Sequence, residues 1–316
     1  MQNRHKIKIN VYYFKRTTVL NPVQYKYHHE RVGCKMKSIQ VNGVTLAYEE
    51  YGSGENYLIS TQNFFFSGCH MELLGKEPYH YHTFLLFMRS YGNSTHITDP
   101  EPKDYTTIWG EDVIAFAKAM GIERFYYTGI SHGNWAGWYI ALHHPELLRG
   151  FACVDGIAQY RPAGQLPAIP RQKSEFAEMV GNREQLEKIA WMEYWPTQNP
   201  ARLAKRAANH QEHLNILVNR QKEEFTVRNT NMSCCDAQSE EEFFAAMAKI
   251  SVPVMLLNGA LDPLARVEDV LKLAKVIPGA QMKIYQHYGH GAADECPEIF
   301  ARDCDRFFRD TTGQIL

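Results

Sequence analysis

The sequence predicts an α/β fold: a mainly parallel sheet flanked by helices, with a helical block inserted late in the chain. Three observations carry this prediction. From Met36 to about residue 156, short apolar runs alternate with stretches of helical spacing. Residues 157–250 then show amphipathic helical patterns and no convincing strand. The strand–helix alternation resumes after residue 250 and runs through "PEIFARDCDRFF".

Taken in order, residues 1–35 stand apart from the rest. They carry Arg4, Lys6, Lys8, Lys15, Arg16, Lys26, Arg31 and Lys35 with almost no acid. A basic, disordered extension is expected there. From Met36, "KSIQVNGVTLAYEEYG" reads as two alternating strands about Asn42-Gly43, a pair suited to the positive φ angles of a two-residue hairpin. "NYLIST" and "FLLFMRS" are short apolar runs of the kind that form buried parallel strands. In "TTIWGEDVIAFAKAMG" the apolar residues fall at helical spacing, and Gly121 closes the pattern. Strand "RFYYTGI", helix "GNWAGWYIALHH" and strand "GFACVDG" follow. Past the helical block come strand "VPVMLLNG", helix "VEDVLKLAKVI", strand "QMKIYQ" and the final helix.

Bulk properties narrow the function classes. The formal net charge is −1, so no global field draws the chain to nucleic acid or an anionic membrane. No apolar run approaches the roughly 18 residues that span a bilayer. The seven cysteines are odd in number and contain no CxxC pair, which suggests reduced thiols in the cytoplasm. The histidine pairs His80/His82, His143/His144 and His210/His213 lack a third ligand at motif spacing, so no metal is expected. Gly52 and Gly54 precede a strand rather than follow one, which argues against a dinucleotide loop.

The stretch "FYYTGISHGNWAG" sets Ser131 between Gly129 and Gly133, after a strand and before a helix. A serine hydroxyl is a weak nucleophile and needs a base in reach. A tight strand-turn-helix projects it from the sheet, favours small neighbours and turns the following amide, that of His132, toward a developing oxyanion.

In these residues the sequence resembles the α/β-hydrolase family over roughly residues 36–316. The resemblance implies a nucleophile–acid–histidine order, matched by Ser131, by Asp262 in "LLNGALDPL" and by His290 in "YQHYGHGAADECPEIF". "RSYGNS" also resembles a turn of that family. The implied architecture is a core of residues 36–156 and 251–316 with a helical cap at 157–250. Ser131 would attack an acyl carbon, His290 would carry the proton and Asp262 would orient the imidazole. The oxyanion donors would be the amides of His132 and of Phe64, in a loop where the family usually has His-Gly and this chain has Gln62-Asn63. Phe64, Phe65 and Phe66 are expected to crowd the acyl side. Asn63, Trp191 and Trp195 are expected pocket residues. The His132 imidazole is read as a bystander.

Rivals stay open at this point: Asp155 for the acid, and His287, His210 or His213 for the base. The expected activity is hydrolysis of an ester, thioester or lactone of small to medium, mostly apolar character, through an acyl-enzyme and without a cofactor. The expected partner is a small molecule, bound by a monomer or a homodimer. A carbon–carbon bond hydrolase, a cofactor-free lyase or perhydrolase, and a small-molecule receptor with slow turnover are the alternatives.

Overall fold

The computed structural model describes residues 36–97, 105–160, 184, 196–218 and 234–313. Its strands are β1 (Lys37–Val41), β2 (Val44–Tyr51), β3 (Tyr57–Gln62), β4 (His82–Phe87), β5 (Phe125–Ile130), β6 (Leu148–Val154), β7 (Val254–Gly259) and β8 (Gln281–Tyr285). They form one sheet in the order β1-β2-β4-β3-β5-β6-β7-β8. The β1–β2 and β2–β4 pairs are antiparallel; the remaining pairs are parallel. The β1–β2 hairpin turns where expected, with Asn42 at φ 48° and Gly43 at φ 76°.

The helices among the described residues are α1 (His70–Leu74), α2 (Tyr105–Ala119), α3 (Asn134–His143), α4 (Pro200–Val218), α5 (Glu240–Met247), α6 (Val267–Val276), α7 (Ala292–Glu295) and α8 (Pro297–Gly313). The two-residue period of the strands assigns them to two layers. Phe125 and Tyr127 of β5, Phe151 and Cys153 of β6, and Val254 and Leu256 of β7 face a core shared with α2, α3, α5 and α6. Tyr126, Ala152, Val154, Met255 and Leu257 face the opposite core, filled by α1 and by Phe300, Cys304, Phe307 and Phe308 of α8. Burial on both faces is why these strands read as continuous apolar runs rather than alternating ones.

The "RSYGNS" turn ties the sheet to α2. Arg89 grips Asp112 through Nε and Nη2, both at 2.7 Å. Ser94 donates to the Phe87 carbonyl at 2.7 Å and accepts from the Ala47 amide at 2.9 Å. Of the 157–250 block, α4 and α5 are helices as the pattern predicts. Residues 1–35 and the Trp191–Trp195 cluster lie outside the described residues. Short α1 had no periodic signal, because five residues are too few to show one. No disulfide joins the six cysteines among the described residues, and none of the described helices is long and apolar enough to cross a membrane.

Candidate active site

Ser131 follows β5, a strand flanked by β3 and β6 in mid-sheet, and has φ 52°. A non-glycine residue in this left-handed region is strained, and its neighbours must hold it there. Both flanking glycines are needed for space. A Cβ at Gly129 would stand 2.5 Å from the backbone carbon and oxygen of Gly133. A Cβ at Gly133 would stand 2.6 Å from the Gln62 side chain. Tyr127 Oη donates to the Gly133 carbonyl at 2.6 Å. Asn134 Nδ2 donates to the carbonyls of Ser131, at 3.0 Å, and Val154, at 2.8 Å. Asn134 therefore pins the turn to the end of β6.

The carboxyl ends of β5, β7 and β8 bring three predicted residues together. The Ser131 hydroxyl donates to His290 Nε2 at 2.7 Å, and His290 Nδ1–H donates to Asp262 Oδ2 at 2.8 Å. The second oxygen, Asp262 Oδ1, accepts from the amides of Leu264, at 2.7 Å, and Ala265, at 2.9 Å. These two bonds fix the carboxylate's rotation, so Oδ2 is left for the imidazole. The Asp262 side chain is fully buried.

The rival residues are placed differently. Asp155, buried and at φ 44°, accepts from the amides of Gly259, at 3.1 Å, and Ala293, at 3.3 Å. Burial pushes its carboxyl well above the ordinary range, with Asp262 adding to the rise and His290 opposing it. Its role here is to clip the turn before Asp262 to the segment after His290. The His287 side chain is exposed. His210 is buried on α4, and the His213 ring lies 4.8 Å from that of Phe64.

The loop after β3 holds one correction. Phe65 does not crowd the mouth: it is 2% exposed and meets Phe87 edge-on at 5.3 Å in the core. Phe66 is also buried, with its ring 5.1 Å from that of half-buried Phe64. Three successive residues cannot share one side of a chain, and the middle ring turned inward. The Asn63 amide donates to His132 Nε2 at 3.3 Å, and Asn63 Oδ1 is buried with no hydrogen-bond partner among the described residues. The His132 imidazole is therefore engaged with the loop rather than idle. Burial, with His290 and His213 nearby, pulls its pKa down to about 3, so it is neutral at ordinary pH.

Helix α4 packs against the loops after β3 and β8. Glu295, on α7, receives Arg202 Nε at 2.5 Å and Arg206 Nη2 at 3.0 Å, with its side chain fully buried. Arg202 also donates to the His287 carbonyl at 3.1 Å and lies over the Tyr288 ring at 4.1 Å. Asn209 donates to the Asp294 carbonyl at 2.7 Å. The segment that carries His290 is thus gripped along its length by one helix. Among the described residues, no group of three or more His, Cys, Asp or Glu is placed to hold a metal ion.

Comparison with known proteins agrees with the fold. The family model described as the alpha/beta hydrolase fold matches residues 63–297. A protein of Caulobacter sp. (strain K31), provisionally named carbamate hydrolase RutD, is 24% identical over 65% of this chain and 71% of its own length. The 3-oxoadipate enol-lactonase 2 of Acinetobacter baylyi (strain ATCC 33305 / BD413 / ADP1) is 24% identical over 60% of this chain and 66% of its own. The solved enol-lactonase of Burkholderia xenovorans LB400 superposes with a TM-score of 0.69 at 18% identity, covering 86% of this chain and all of that one.

Proposed function

Because the chain belongs to the α/β-hydrolase fold family, we propose that it hydrolyses a carboxylic ester or lactone through an acyl-enzyme formed on Ser131. One observation carries the reading: a serine strained to φ 52° shares its hydroxyl with His290, whose other nitrogen is held by a fully buried Asp262. In this scheme Ser131 Oγ attacks the carbonyl carbon while His290 Nε2 takes its proton. The imidazolium returns the proton to the departing oxygen, so an alcohol leaves, or the ring of a lactone opens. His290 then takes a proton from water, which attacks the acyl-enzyme; the tetrahedral adduct frees the acid by expelling Ser131 Oγ, which recovers its proton from His290. Asp262 keeps the imidazole in the Nδ1–H tautomer and stabilises its cation. The amides of His132 and Phe64 receive the oxyanion; one such donor contributes about 2.7–4 kcal/mol in comparable sites.

The names of the relatives support acyl chemistry, since lactones, esters and carbamates all react at a carbonyl carbon. The Phe64 ring supports a substrate of small to medium size and mostly apolar character, with Asn63 as a further pocket residue. Residues 157–250 act as the cap over a core of 36–156 and 251–316.

A fluorescent fluorophosphonate tests the reading. Labelling is expected at Ser131 by peptide mass and absent in Ser131→Ala. Turnover is expected within a panel of p-nitrophenyl esters and lactones. An unlabelled Ser131 in folded protein, with no turnover, overturns it.

A further inference from the structure

The amide of Phe64 is useful only if the loop that carries it is held. The strand end before it is fixed: the Gln62 carbonyl accepts from the Met88 amide at 3.0 Å. The outer end is fixed by α4. Lys205 Nζ donates to the Ser67 carbonyl at 2.8 Å, the Ser67 amide donates to Glu212 Oε2 at 3.0 Å, and His213 lies against the Phe64 ring. At the inner end, one residue before Phe64, the Asn63 amide bonds across the mouth to His132 Nε2.

That bond dictates the state of the ring. An amide N–H can only donate, so Nε2 must lack a proton, and in the neutral imidazole the proton sits on Nδ1. Protonation of the ring would set two donors face to face and release the loop. The titratable groups facing His132 are His290, after β8, and His213, on α4; burial and both neighbours disfavour the cation.

We propose that His132 is a positioning residue, whose imidazole hooks the Asn63 amide and thereby sets the Phe64 amide opposite the Ser131 turn. Backbone and side chain of one residue then serve the same oxyanion hole, one as donor and one as the anchor of the other donor. The kinetic consequence rests on the proposed hydrolase reading; the hook itself does not.

The test uses full-length wild type, His132→Ala and His132→Gln. Gln carries an acceptor oxygen to about the reach of Nε2, whereas Ala carries none. The first readout is hydrogen–deuterium exchange of the peptide spanning residues 62–68. It is expected to speed up in His132→Ala and to return to the wild-type rate in His132→Gln. The second is steady-state kinetics on whichever ester or lactone the wild type turns over. His132→Ala is expected to lose about 10- to 100-fold in kcat, the range set by a donor misplaced by roughly an ångström, with KM nearly unchanged. His132→Gln is expected to recover most of that loss. Unchanged exchange in His132→Ala, or a Gln variant that exchanges as fast as Ala, overturns the hook. If wild-type Ser131 neither labels nor turns over, the hydrolase reading fails while the exchange readout still decides the hook.

Discussion

Replacing Asp262 by Asn isolates the tautomer of His290 from its packing. The side chain keeps its shape, so the question is which way the amide faces. Two backbone donors, from Leu264 and Ala265, converge on Oδ1 at 2.7 and 2.9 Å. Turning the NH2 group toward them would strand two buried donors, at roughly 1–3 kcal/mol each. Turning it toward His290 gives up only the Nδ1–H bond, and the ring relieves the clash by moving its proton to Nε2. The Asn oxygen therefore stays with the loop, and Nε2–H faces the Ser131 hydroxyl with no lone pair to offer it. The fold is expected to persist, with stability lowered by about 1–3 kcal/mol for the weakened pair. The rate is expected to fall by about four decades, or roughly 5.4 kcal/mol of barrier, as the same change does in other Ser-His-Asp triads. Steady-state kinetics on the best p-nitrophenyl ester, with urea unfolding of the same samples, measures both. A variant that keeps more than about a tenth of wild-type kcat would refute the assignment of Asp262 as the orienting acid.

Three further outcomes are expected. Gly129→Ala forces a Cβ against the backbone of Gly133, so it should lower stability by about 1–3 kcal/mol and slow fluorophosphonate labelling of Ser131; normal labelling would show that the turn has slack. Glu295→Gln leaves Arg202 and Arg206 buried beside a neutral group and should cost about 3–5 kcal/mol in urea unfolding, with a loss under about 1 kcal/mol counting against a buried ion cluster. Asp155 has a folded-state pKa raised by burial, so its contribution is fully present below the unfolded value of about 4 and is lost as pH rises through the folded value. The stability of wild type relative to Asp155→Asn should therefore fall as pH rises above about 4, and a difference that is flat or rises with pH would contradict this.

Much of the fold was legible because it follows from local rules. Apolar runs of strand length mark strands buried on two faces, and the Asn42-Gly43 turn follows from the positive φ that its geometry requires. Ser131 was legible for the same reason, since the spacing of Gly129 and Gly133 reflects crowding within a few residues of it. Phe65 was not, because nothing in three consecutive phenylalanines says which ring the core will take.

The sequence alone determined the order of strands and helices and the elbow at Ser131; the chain order of acid and histidine was what the family resemblance implied. The sequence left Asp155 and Asp262 as rivals, and it left the His132 side chain without a role. Only the tertiary structure shows which groups meet: Asp262 with His290, and the His132 ring with the Asn63 amide. Such bonds join residues far apart in sequence: His290 to Ser131 across 159 positions, Asn63 to His132 across 69, and Arg202 to Glu295 across 93. Periodicity and propensity act over a turn or a strand. Which carboxylate reaches an imidazole depends instead on how neighbouring strands and the helix above them are packed.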